Sequence, residues 1–191
     1  MSNFSTSGVG TVTLPAPGAY NVDPVHSNID FIARHLVASK VRGNFTEFAG
    51  VVTIGDSVET SSVEATVQAA SITTNNEMRD AHLKSADFLE LETYPTLALR
   101  STKITAKGGD DYEMIADLTI KDVTKSVTFD LEYLGTNPSM LPGVTIVGFE
   151  ATTEIDRRDF NVNFNAVLES GGLVVSNKVV IQLTIEASKQ D

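Results

Sequence analysis

From Tyr20 onward apolar and polar residues alternate along this chain with a period of two. Ser27, Ile29, Phe31 and Ala33 share one strand face, while Asn28, Asp30 and Arg34 share the other, the pattern of a half-buried strand. The alternation repeats over residues 45–54, bounded by Gly43 and Gly55, then over 63–72, and over 96–104, which closes in Lys107-Gly108-Gly109-Asp110. It resumes in Tyr112, Met114, Ala116, Leu118 and Ile120, then in Val127, Phe129, Leu131 and Tyr133, across 144–155, and in Val179, Ile181, Leu183 and Ile185. These runs make about eight long strands, so the fold class is all-β, a barrel or sandwich. Closure is preferred because an open sheet would expose two long edges and a barrel exposes none. An eight-stranded barrel has an interior able to hold one small ligand.

One segment breaks the pattern. Thr74-Asn75-Asn76-Glu77 has the spacing of a capping box, with Thr74 as N-cap, and predicts a single short helix from about Asn75 to Ser85. Asp80 and Lys84 would then form an i,i+4 pair. A second polar interruption, Asp156-Arg157-Arg158-Asp159-Phe160-Asn161, separates the last two strands. Residues 1–18 are rich in Ser, Thr, Gly and Pro and end in Leu14-Pro15-Ala16-Pro17-Gly18; they predict a flexible extension before a single domain over 19–191.

Composition narrows the function classes. The 191 residues carry 14 Lys and Arg against 25 Asp and Glu, a net charge of -11. That charge repels phosphate backbones and anionic bilayers, so no nucleic-acid partner is expected. No stretch approaches the roughly 18 apolar residues of a membrane span. With no cysteine, disulfides and thiolate metal sites are excluded. The N-terminus lacks a basic region and an apolar run, so a cytoplasmic location is expected.

The candidate chemistry is sparse. Arg79, Asp80 and His82 offer either a head-group clamp at a cavity mouth or hydrogen bonds that tie the helix down. The three histidines, His26, His35 and His82, lack metal-ligand spacing, so no metal is expected. Ser27 and His26 are adjacent and point to opposite strand faces, which leaves no triad. Asp110-Asp111 and the pair Asp87 and Glu90 read as solvated loop charges, and Gly171-Gly172 and Gly108-Gly109 as hairpin turns, not phosphate cradles. Phe31, Phe48, Phe88, Leu99, Leu118, Phe129, Phe149 and Ile181 read singly as core and together as the wall of an apolar interior. Ala33, Ala65, Ala69, Ala98 and Ala116 are small enough to leave part of that interior unfilled. An enzyme using His82 with Asp80 or Asp87, and an interaction or stress-response module with a packed barrel, stand as alternatives to a binding protein.

An ordered set of landmarks carries a more specific signal: Tyr20-x-Val22-Asp23-x-x-His26-Ser27-x-x-x-Phe31, Gly43-x-Phe45-x-x-Phe48-x-Gly50, Ser71-Ile72, Arg79-Asp80-x-His82-Leu83-x-Ser85-x-Asp87-Phe88, Tyr94-Pro95-Thr96, Leu118-Thr119-Ile120 and Asp156-Arg157-x-Asp159-Phe160. With them the chain, from about Tyr20 to Glu186, resembles the YceI-like, lipocalin-like polyisoprenoid-binding family. It departs from that pattern at Asp122 and Asn161, where glycine is often found. The resemblance implies an extended eight-stranded antiparallel lipocalin-like barrel with one short helix. It also implies a polyisoprenoid or other long-chain lipid as ligand, no cofactor, no enzymatic step and a homodimer.

Overall fold

The computed structural model describes residues 14–36, 39–166 and 174–190. Among them, the strands are β1 (Gly18–Val22), β2 (Asn28–His35), β3 (Ser39–Phe45), β4 (Phe48–Ile54), β5 (Ser62–Gln68), β6 (Ile72–Thr73), β7 (Thr96–Gly108), β8 (Asp111–Ile120), β9 (Val123–Pro138), β10 (Val144–Asp156) and β11 (Val175–Gln190). A single α-helix among the described residues, α1 (Glu77–Lys84), follows β6. All pairings are antiparallel, and β1 pairs with both β4 and β11, which closes the sheet on itself.

Eleven segments fill eight positions around the barrel because three long strands are interrupted. β1 and β2 both lie along β11, at Ala187–Ser188 and at 175–184. β4 pairs with β1 and β3 with β2, and β5 and β6 continue the series beside them. Side chains and stray backbone groups together repair these interruptions. Between β1 and β2 the chain bulges outward, and Ser27 takes over the ladder, donating its hydroxyl to the Glu186 carbonyl and accepting from the Glu186 amide at 2.9 Å. Between β5 and β6, Ser71 accepts from the Thr46 amide, and Ala69 donates to the Pro95 carbonyl.

The expected helix is present but starts later than its capping-box spacing suggests. Asn75 turns with φ +57, and Asn76 is the N-cap, accepting from the Arg79 amide at 3.0 Å. Thr74 is bonded instead to Asp80 and Arg79. Asp80 is therefore committed to the strand it packs on, through Thr73 and Thr74, and no ion pair joins it to Lys84 among the described residues.

The two departures from glycine turn out to be coupled. Asn161 ends the 3₁₀ turn Arg157–Phe160 in the left-handed region, φ +58, which asparagine tolerates better than most residues. In the β8–β9 turn the left-handed residue is Lys121, φ +57, not Asp122. The Asn161 side-chain Nδ2 then donates to the Asp122 carboxylate at 3.4 Å, joining the two turns.

Buried side chains fall into two clusters at opposite ends of the interior. One centres on Tyr20, Met114, Phe129 and Val147, the other on Phe88, Leu118, Phe160 and Val162. Leu99, Val127 and Ile181 pack against both. Of the expected extension over 1–18, residues 1–13 lie outside the described residues; Leu14 packs on the first cluster, and the Tyr20 hydroxyl donates to the Ala16 carbonyl at 2.8 Å.

Candidate functional site

Inward-facing residues of a fully packed barrel should be sealed from solvent. Here Leu99, Phe149, Ile181, Leu183 and Ile185 face inward yet are only half-buried. They border a cavity of about 290 Å³ whose lining spans both clusters, from Tyr112, Met114 and Tyr133 to Phe88, Phe160 and Val162. It is roughly twice the ~150 Å³ apolar void that stays dry and takes up benzene.

The pairing pattern explains the hollow. Gly50 stands opposite Ala65, and Ala65 opposite Leu99, so two adjacent strands contribute no more than a methyl to the wall at that level. Gly43 stands opposite Phe31, and a Cβ there would lie 2.3 Å from Phe31 Cζ and 2.7 Å from the Thr73 carbonyl. A glycine is thus needed for the Phe31 ring to lie flat against the wall rather than fill the centre. Of the other small residues, Ala33 lines the cavity, Ala69 and Ala116 are buried, and Ala98 faces outward because Leu97 and Leu99 face in.

The structure brings together Phe31, Phe48, Phe88, Leu99, Leu118, Phe129, Phe149 and Ile181, all of which line the cavity. It does not add Arg79, Asp80 or His82 to that lining. Arg79 donates from Nε to Thr74 Oγ1 at 2.7 Å and from Nη2 to the Thr74 carbonyl at 3.0 Å. Asp80 accepts from Thr73 Oγ1 at 3.0 Å, from the Thr74 amide at 2.8 Å and from the Thr74 hydroxyl. Burial pushes the Asp80 carboxyl up, but the Thr74 and Thr73 donors together outweigh it and hold the pKa below its ordinary value. As placed, these two residues fasten α1 across one barrel end, so that Leu83 and Phe88 reach the cavity.

His82 belongs to the same end. Its Nε2 lies 2.8 Å from Asp87 Oδ2, and its ring meets Phe88 and Phe164 edge-on, with centroids 5.0 and 4.8 Å away. Glu90 is not paired with Asp87; Lys121 Nζ sits 3.1 Å from its carboxylate. The three histidines form no common metal-ligand group among the described residues. His26 instead meets Asp23 at 2.8 Å and Glu186 at 3.7 Å, on a surface that contributes nothing to the cavity lining. The hydrogen bond to Asp23, with the charges of Asp23 and Glu186, pushes the His26 pKa up. Asp110 lies in the β7–β8 hairpin, turned by Gly109 at φ +61; Gly171 and Gly172 lie outside the described residues.

Among the wall residues that were not anticipated, one is an arginine. Arg157 lines the cavity and is 5% exposed, whereas its neighbour Arg158 is exposed. In the 3₁₀ turn Arg157–Phe160, residues three apart share a face, so Arg157 and Phe160 are both buried. The available signal was the spacing of Arg157 from Phe160.

Comparisons agree with this architecture. A family model described as the YceI-like domain matches residues 20–187. UPF0312 protein SA2479 of Staphylococcus aureus is 34% identical over 171 residues, covering 88% of this chain and 96% of that protein. Among solved structures, a Campylobacter jejuni YCEI protein superposes with a TM-score of 0.70 at 27% identity, covering 83% of this chain and 90% of that one. BcnA of Burkholderia cenocepacia gives 0.74 at 22% identity over 87% and 99%, and a polyisoprenoid binding domain from Saccharophagus degradans gives 0.63 at 14% over 90% and 98%. These last two share the fold.

Proposed function

The chain belongs to the YceI-like domain family, and on that premise we propose that its barrel binds a long-chain isoprenoid or similar amphiphilic lipid, such as a prenyl quinone or prenyl phosphate, as a carrier or reservoir. The observation that carries this is the apolar cavity running between the two core clusters, with inward residues left half-buried. A flexible chain suits such a space. Each buried CH₂ is worth about 0.8 kcal/mol, so a five-carbon isoprene unit contributes a few kcal/mol. Several units are needed to exceed the roughly 4–15 kcal/mol lost in association. Long tails are therefore favoured over short ones. The polyisoprenoid binding domain of S. degradans, which shares the fold, lends the isoprenoid class support.

A binding role, not a catalytic one, fits the side chains present. His82, the candidate base, spends Nε2 on Asp87 and packs its ring edge-on against two phenylalanines, and neither it nor Asp80 lines the cavity. Native mass spectrometry of protein purified without detergent, followed by organic extraction and lipid analysis, tests the proposal. A stoichiometric prenyl or acyl species is expected. Lipid-free protein that also fails to take up added prenyl and acyl chains, both as alcohols and as anions, would overturn it in favour of a module acting through its surface.

A further inference from the structure

Arg157 is the single cation among the described residues that line the cavity. Its Nε donates to the Ser176 carbonyl at 3.0 Å and its Nη1 to the Val162 carbonyl at 2.6 Å, which fixes the guanidinium in place. Nη2 is buried and has no hydrogen-bond partner among the described residues. Among the described residues no carboxylate is hydrogen-bonded to the guanidinium, and the charge of Asp156 only partly offsets its burial. Asp156, next to it in sequence, is taken by Arg158, which donates from Nε at 2.9 Å to Oδ1 and from Nη2 at 2.6 Å to Oδ2. The two acidic residues bordering the cavity also face other cations: Glu64 lies 3.2 Å from Arg100, and Asp30 feels the charge of Arg42.

A buried donor without an acceptor is costly, and a buried cation without a counter-charge more so. Burial accordingly pushes the Arg157 pKa down, although a guanidinium remains protonated in water. Two demands are left at this arginine beside the cavity: an acceptor for Nη2 and a fuller compensation of its charge. A quinone carbonyl or an alcohol answers only the first. A phosphate or carboxylate oxygen answers both, in the geometry that arginine reads best.

Resting on the lipid-binding proposal above, we infer that Arg157 is the head-group residue of this barrel and selects amphiphiles with an anionic head. The head sits at the end closed by Phe160 and Val162, and the tail runs toward the cluster around Tyr20 and Phe129. Among isoprenoids this favours a prenyl phosphate over a prenyl quinone; a fatty acid presents the same chemistry through its carboxylate.

The test compares matched pairs by calorimetry on delipidated protein: geranylgeranyl monophosphate against geranylgeraniol, and palmitate against palmityl alcohol. The wild type is expected to favour the anion of at least one pair by about tenfold or more, the low end of what a charge-assisted hydrogen bond supplies. The pair showing the preference names the tail class. Arg157→Gln should erase the preference while leaving alcohol affinity within about threefold; Arg157→Lys should retain part of it. Equal affinity for anion and alcohol in the wild type overturns the inference and leaves the carrier proposal standing. Equal loss of both ligands in a folded Arg157→Gln protein overturns it too, making Arg157 a tie for the 162–176 connection. Failure of all four probes to bind overturns both proposals. Should Arg157→Gln not fold, the wild-type ratios alone decide.

Discussion

Placing a phenylalanine at position 65 distinguishes a hollow barrel from a packed one, because the two predict opposite signs. Ala65 lines the cavity and is flanked by Gly50 on one strand and Leu99 on the other. If the interior were filled, the added ring would force neighbouring side chains off their rotamers at about 1–3 kcal/mol. For a chain of this length each kcal/mol moves the melting point by roughly 2–4 °C, so the loss would be about 2–12 °C. If the 290 Å³ cavity is open, the ring enters unfilled apolar space and displaces no neighbouring side chain. Burial of the phenyl group then returns about 1.5–3 kcal/mol, and the melting point of delipidated Ala65→Phe stays level or rises. The same ring occupies the level where tails must pass, so co-purified lipid should fall well below one equivalent. Thermal melts by circular dichroism and lipid extraction on one preparation give both readouts. A drop of several degrees together with undiminished lipid would refute the reasoning.

Gly43→Ala should destabilise by about 1–3 kcal/mol in chemical denaturation, since its Cβ meets the Phe31 ring at 2.3 Å and the ring must swing into the cavity. Asp80→Ala removes the acceptor for Thr73 and for the buried Thr74; a loss of about 1–3 kcal/mol is expected, with the amides of α1 exchanging faster. Because the folded pKa of Asp80 is lowered, its contribution is present above the ordinary value near 3.8 and is lost as pH falls through the folded value. Acid should therefore narrow the gap between wild type and Asp80→Ala in melts. His26 behaves in the reverse sense: its folded pKa is raised, so the tie to Asp23 is fully present below about 6.5 and lost as pH rises through the folded value. Imidazole NMR should place the His26 midpoint above the ordinary one, and Asp23→Asn should bring it down.

Periodicity made the barrel legible because each of the eight alternating runs occupies one position around it. What alternation conceals is where a run changes phase. Phe45 and Phe48 are three apart, yet both line the cavity, which a continuous strand cannot arrange; Thr46 and Glu47 must leave the ladder between them. Val22 and Ile29 are seven apart and also both line it, with the Asp23–His26 bulge absorbing the odd step. Odd spacings between inward aromatics and aliphatics were thus the trace of each bulge. The same parity places Ala98 outside, between Leu97 and Leu99. Hollowness was less legible, since it depends on which small residues become neighbours across strands. Gly50 and Ala65 are fifteen positions apart in the chain and meet only through the register of β4 and β5.

The charge run 156–159 shows why the polar part of the site escaped notice. Two aspartates and two arginines in a row sum to zero and read as a solvated interruption. Nothing in composition says which arginine receives which carboxylate. The 3₁₀ turn decides it by geometry: Asp156 caps the turn and grips Arg158 on the outside, while Arg157 follows Phe160 inward. The cluster is neutral as a whole and unbalanced within, because Asp156 is hydrogen-bonded to the outer guanidinium and no carboxylate among the described residues is bonded to the inner one. An aliphatic side chain of similar length would line the cavity without that cost. Keeping a desolvated, half-bonded cation in an otherwise apolar wall makes physical sense when an anion arrives with the tail.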